Sequence, residues 1–127
     1  TSAWHVHPGV LPYYRGCSAV EWAIYNDDKV GNTAHIMTEG YDEGPIMKIE
    51  TYSFPIGSSY QQIRTYIYQK GCDLAAQVMQ RIQSVPKAEL ELTKQDESLA
   101  KYWKPIPNEL MKTVLNKVSQ GDYKYFE

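Results

Sequence analysis

Between Asn32 and Thr38 the side chains alternate with a period of two. Thr33, His35 and Met37 fall on one side and Ala34 and Ile36 on the other. Successive side chains of a strand point to opposite faces, so this pattern predicts a strand. Pro45 to Phe54 repeats it, with Ile46, Lys48 and Glu50 alternating against Met47 and Ile49. The connection, Glu39-Gly40-Tyr41-Asp42-Glu43-Gly44, is acidic and glycine-flanked, as turn-forming segments are. The two strands read as a hairpin. The period then lengthens. Ile63, Tyr66, Ile67, Leu74, Val78 and Ile82 form one stripe of a long helix from about Tyr60 to Ser84, capped by Ser58 or Ser59 and ended by Pro86. Gly71 inside it costs about 1 kcal/mol against Ala. Close packing against a neighbour would account for it.

The flanking segments are shorter. Thr1 to His7 reads as an incoming strand, broken by Pro8-Gly9, and Pro12 and Gly16 keep the next stretch irregular. Ser18 and Glu21 have the spacing of a capping box for a helix carrying Val20 and Ile24, which Asn26-Asp27-Asp28 stops. Leu90 and Leu92 suggest a short strand, and Lys104 to Pro107 an extended segment. Asn108 caps a last helix to about Ser119, with Leu110, Val114, Leu115 and Val118 as its stripe. Gly121 ends it, and Tyr123 to Glu127 is read as a tail. The class is α/β: a short sheet with a strand hairpin flanked by helices. Such a piece buries a modest core and resembles the second half of an α/β domain.

A length of 127 residues fits one domain. With 43% hydrophobic and 22% charged residues the chain is not a disordered tail. A net charge of -2 excludes the broad basic footprint of a general nucleic-acid binder and bulk attraction to anionic membranes. Cys17 and Cys72 are too few for a disulfide framework, and read as two buried or half-buried thiols of a reducing compartment. No apolar stretch approaches the roughly 20 residues of a membrane span, and the start lacks the pattern of a signal peptide. A cytoplasmic protein is the expectation.

Two segments carry candidate chemistry. His5 and His7 project to one face of the first strand, beside the Pro-Gly break. Such a pair can hold a metal or handle protons, or one can sit in the core and the other in solvent. Asp42 could orient a histidine or position a water, or be a solvated turn acid. His35 reads as a satisfied structural histidine. No spacing along the chain supplies three or four convergent ligands, so no metal is expected.

The run His7-Pro8-Gly9-Val10-Leu11-Pro12-Tyr13-Tyr14-Arg15-Gly16 resembles the signature of the folate-dependent formyltransferases, which act on methionyl-tRNA, glycinamide ribonucleotide or nucleotide-linked amino sugars. Gly31-Asn32-Thr33-Ala34-His35 followed by Asp42-Glu43-Gly44-Pro45-Ile46 is similar to that family's second motif, 35 residues separating His7 from Asp42. Gln95-Asp96-Glu97-Ser98-Leu99-Ala100-Lys101-Tyr102 is similar to the stretch after its long helix.

The resemblance implies the C-terminal half of a Rossmann-like catalytic domain. It also implies formyl transfer from 10-formyltetrahydrofolate to a primary amine, without a metal. His7 matches the catalytic histidine and Asp42 the catalytic carboxylate, and Glu39, Gly40, Tyr41, Asp42 and Gly44 match the segment lining the folate pocket. His5 stands where the family has an asparagine, so an imidazole would serve as the stand-in donor. Gly9 stands where serine is common, a milder departure. The chain begins almost at this motif, whereas in the family a nucleotide-fold half precedes it. A homodimer or a complementing N-terminal chain is therefore expected. The acceptor could be an amino sugar, a small amine or, as the only nucleic acid, methionyl-tRNA. The alternative is a non-catalytic folate-binding or interaction module derived from such an enzyme.

Overall fold

The computed structural model describes residues 3 to 127. Its elements in chain order are β1 (Trp4–His7), β2 (Arg15–Gly16), α1 (Ala19–Tyr25), β3 (Val30–Ile36), β4 (Ile46–Tyr52), α2 (Tyr60–Ser84), β5 (Tyr102–Trp103) and α3 (Asn108–Gln120). Thr1 and Ser2, part of the expected first strand, lie outside the described residues.

β1, β3 and β4 form one antiparallel sheet in that spatial order, so the predicted hairpin is present and β1 is an edge. The sheet is two-faced because its side chains alternate. Trp4, Val6 and Ala34 point to one side, where they meet Leu74 and Val78 of α2. The other side carries His5, His7, Thr33 and His35. The long helix begins where predicted: Ser59 Oγ accepts the Gln62 N–H, and the Gln62 side chain accepts the Ser59 N–H. Its stripe buries Ile63, Ile67, Leu74 and Val78, while Tyr66 remains exposed. Gly71 lies against Asn32, whose carboxamide would be 3.4 Å from an added Cβ, the close packing its position implied. A larger core joins α1, α3, the start of α2 and the chain end.

Several expectations are corrected. Ser18 occupies the N-cap position of α1 as expected, but its side chain makes no capping hydrogen bond. It has φ 53, in the left-handed region, and its Oγ accepts the Ile106 N–H instead, a partner 88 residues away. Leu90 and Leu92 form no strand; a 3-10 turn at Lys87–Glu89 precedes a single bridge between Ile46 and Thr93. Asn108 is the first residue of α3, not its cap. The stretch before Gly16 is not wholly irregular, since Arg15 and Gly16 pair in parallel with Tyr102 and Trp103. Residues 123 to 127 are no tail: Tyr123 is buried in the main core and Phe126 bridges to Phe54. Both cysteines are exposed rather than buried. Among the described residues no helix is long and apolar enough to cross a membrane.

Candidate active site

The site is built on the polar face of the sheet. His5 pairs directly across from His35, and His7 from Thr33, so β1 and β3 present three imidazoles side by side. Thr33 fixes the chain that follows β1. Its Oγ1 donates to the Gly9 carbonyl at 2.7 Å and accepts the Leu11 N–H at 3.2 Å. The Pro-Gly turn thus curls back over the sheet, and the Leu11–Pro12 peptide is cis. That path brings the Tyr14 carbonyl to 2.7 Å from His7 Nε2. A carbonyl only accepts, so Nε2 carries the proton and Nδ1 is the nitrogen turned to Asp42.

Asp42 arrives from the β3–β4 connection with φ 58, a conformation aspartate tolerates better than most residues. Its Oδ2 accepts the Gly16 N–H at 2.9 Å. Its Oδ1 lies 3.5 Å from His7 Nδ1 and 3.8 Å from His35 Nε2. His7 and Asp42, 35 residues apart in the chain, thus converge on one place. Burial pushes the pKa of His7 down, with Asp42 and the Tyr14 carbonyl acting in the opposite direction. Burial also lowers that of His35, opposed by the Ile36 carbonyl and Asp42. Both rings are thereby biased toward the neutral form, in which an imidazole can take a proton from a nucleophile.

The connection holding Asp42 is tied down by groups far along the chain. Gln95 is buried, and its Nε2 donates to the Asp42 carbonyl at 2.9 Å and the Gly44 carbonyl at 2.7 Å. Its Oε1 accepts from Arg15 Nε at 3.2 Å and Nη2 at 2.9 Å. Arg15, itself buried, also donates from Nη1 to Glu97 at 3.0 Å. Tyr102 Oη donates to the Tyr41 carbonyl at 2.6 Å. A relay from Glu97 through Arg15 and Gln95 therefore sets the carboxylate's position.

The remaining predicted residues are placed as follows. His5 is exposed, with its ring edge-on to His35 at 5.5 Å. Glu39 and Tyr41 are exposed, Gly40 is half-buried, and Gly44 is buried. Gly44 packs directly on the Ile36 carbonyl, where no Cβ fits, so a contact within the chain already requires glycine there. A cavity of about 470 Å³ runs along the free edge of β1 beside α2, lined by His5, Trp4, Pro8 and Tyr68 among others.

His35, Arg15 and Gln95 were not singled out from the sequence for these places. His35 shares the two-residue period of Thr33, which put it on the same face. The cross-strand register that sets it opposite His5 was not readable from one strand.

Three neighbouring imidazoles thus stand beside one fixed carboxylate on the polar face of the sheet. The family model for formyl transferases matches residues 2 to 81, and the chain belongs to that family. A methionyl-tRNA formyltransferase from Trichodesmium erythraeum is 31% identical over 105 residues, covering 82% of this chain and 30% of its own length. The chain thus spans about a third of the curated relatives it matches. Among solved structures, an N-formyltransferase from Helicobacter canadensis, in complex with folinic acid and dTDP-3-aminofucose, superposes with a TM-score of 0.67. It is 24% identical and covers 79% of this chain and 36% of its own. The formyltransferase PseJ from Anoxybacillus kamchatkensis, bound to a UDP-formamido sugar and tetrahydrofolate, gives a TM-score of 0.75. It is 17% identical and covers 98% of this chain and 66% of its own. At these identities the superpositions establish the shared α/β fold.

Proposed function

We propose that the chain carries the reacting centre of a formyltransferase that passes the formyl group of 10-formyltetrahydrofolate to a primary amine. The observation that carries this reading is the buried His7 imidazole beside the half-buried Asp42 carboxylate, in a chain whose family is shown. The amine attacks the formyl carbon and makes a tetrahedral intermediate whose oxygen bears negative charge. Preorganised donors aimed at that oxygen lower the barrier. With Nε2 bound to Tyr14, His7 acts through Nδ1. The neutral ring's lone pair is on Nδ1, and its 3.5 Å separation from Asp42 is longer than a good hydrogen bond, so this nitrogen is free to take the amine's proton and, once protonated, to donate to the oxyanion. The amine's proton passes to the imidazole, and Asp42 stabilises the imidazolium. The nitrogen of tetrahydrofolate takes that proton as the carbon–nitrogen bond breaks.

His5 supplies the second donor, from the exposed rim. Glu39, Gly40, Tyr41, Asp42 and Gly44 form the wall toward the folate, with the exposed Tyr41 ring available to stack on the flat pterin. The structural neighbours crystallised with folates support folate as the donor. The acceptor class is an amine on a nucleotide-linked sugar, a small amine or methionyl-tRNA.

The test follows tetrahydrofolate release by absorbance, with a dTDP-amino sugar and methionyl-tRNA as acceptors. His7→Ala should lose about a hundredfold to a thousandfold in rate. Equal turnover in wild type and variant removes His7 from the mechanism. Tetrahydrofolate binding with no turnover in wild type favours a binding module instead.

A further inference from the structure

Asp42 Oδ1 has an electrostatic requirement that formyl transfer does not use. His35 is 3% exposed, and its Nδ1 lies 3.1 Å from the Ile36 carbonyl. That oxygen only accepts, so Nδ1 carries the hydrogen and the neutral ring's lone pair is on Nε2. Nε2 is buried and has no hydrogen-bond partner. It points instead toward Asp42 Oδ1, 3.8 Å away, so lone pair faces anion. A group of positive charge between them satisfies both. Across the strand pair stands His5, and one ligand atom each from His5, His35 and Asp42 lie within 4.8 Å of one another.

We propose that His5, His35 and Asp42 form a binding site for a divalent transition cation such as Zn²⁺ or Co²⁺. The donor set fits this class. Two imidazoles and one carboxylate suit borderline metals, whereas calcium and magnesium favour an all-oxygen shell. Zn–N and Zn–O bonds are about 2.0–2.2 Å, so tetrahedral ligand atoms sit roughly 3.4 Å apart. The exposed His5 ring is free to close the remaining distance. The His35 contact with a backbone carbonyl is also the outer hydrogen bond that metal-bound histidines ordinarily make, fixing the tautomer that offers Nε2. His7 Nδ1, 3.5 Å from the same Asp42 oxygen, borders the site. A bound cation would therefore occupy the oxygen that steers His7, so metal and proton relay compete for Asp42. Metal binding itself does not depend on the formyl-transfer reading.

The experiment titrates the tag-free protein with Co²⁺ and reads its visible absorption and binding heat, with no acceptor or folate present. The expected result is saturation at about one equivalent, with the enhanced visible bands of a low-coordinate nitrogen and oxygen site. His5→Asn, an exposed change that leaves the fold intact, should weaken binding by at least about tenfold. Three results overturn the proposal: no saturable binding, the same affinity in His5→Asn, or a near-ultraviolet thiolate band placing the ion on exposed Cys17 or Cys72. A failed Co²⁺ titration leaves His7-dependent formyl transfer standing, and absent turnover leaves the metal site standing.

Discussion

Replacing Gln95 by Glu isolates the role of the relay that holds Asp42. The two side chains have the same length, and a carboxylate keeps the acceptor that Arg15 uses at 2.9 and 3.2 Å. It loses both N–H bonds to the Asp42 and Gly44 carbonyls and puts negative charge against them. Leaving a buried acceptor unpaired costs about 1–3 kcal/mol, so two cost about 2–6. A charge-assisted contact to Arg15 returns about 1–2 kcal/mol, since such bonds are roughly twice as strong as neutral ones. The expected net loss is about 0–5 kcal/mol, centred near 2–3. Protonation of the new carboxyl, which would restore one donor, is opposed by the adjacent guanidinium. Gln95→Leu removes the acceptor as well; Arg15 keeps Glu97 through Nη1 at 3.0 Å, but its Nε is left buried and unpaired, a further cost of about 1–3 kcal/mol with no return from a charge-assisted contact. Urea denaturation should therefore rank wild type above Glu and Glu above Leu. Hydrogen exchange of the Gly16 amide, whose bond to Asp42 Oδ2 is 2.9 Å, should quicken in both variants. A Glu variant as stable as wild type, with Gly16 protection unchanged, would refute the relay.

Gly9→Ala tests the turn over the site. The new Cβ would meet Ala19 Cβ at 2.8 Å and both His7 Nε2 and the Tyr14 carbonyl at 3.0 Å. Crowding of this kind costs about 1–3 kcal/mol, so a lower urea midpoint is expected, and an unchanged one would show that the turn yields freely. Tyr52 offers a test at alkaline pH. Burial, only partly offset by the Asn32 amide donating to its oxygen at 2.9 Å, raises its pKa to about 12. The folded state holds this proton between about pH 10 and 12 while the unfolded chain has released it, so stability must fall as pH rises through that window. Tyr52→Phe should fall less steeply from pH 10 to 12; identical slopes would contradict the shift.

The local patterns in the chain translate well into structure because each was a property of one element. The two-residue period read over 32–38 falls in a strand that runs Val30–Ile36, two residues earlier; the stripe buries Ile63, Ile67, Leu74 and Val78 but leaves Tyr66 out; and Gly121, with φ 70, ends the last helix as read. What escaped depends on partners distant in sequence. Ser18 has the composition of a cap, but the Ile106 N–H takes its hydroxyl. Tyr123 follows a helix end and a turn, which is how a tail begins, and only the assembled core shows that it is buried. The same limit governs the site. His7 and Asp42 were legible through motif resemblance. His35 looked structural because nothing along one strand reveals the residue opposite it. Gln95 lies 53 residues beyond the aspartate whose carbonyl it binds. Gly9 looked like a mild departure from serine until its distance to Ala19 was visible.

The division of labour between the sheet's two faces explains how an imidazole can occupy position 5 at all. Trp4, Val6 and Ala34 pack on α2, so the apolar packing of β1 lies on the face opposite His5 and His7. His5 is exposed on the opposite face and spends no core volume, and its substitution for an amide leaves the packing untouched. Its consequence is chemical. A neutral imidazole offers a nitrogen lone pair, the donor that borderline metals favour, where an amide offers a harder carbonyl oxygen. That nitrogen stands across from His35 and within reach of Asp42, which is what the proposed set of ligands requires. The departure from the family's usual residue and the orphaned nitrogen of His35 thus meet at the same oxygen, and substituting His5 separates their effects without disturbing the fold.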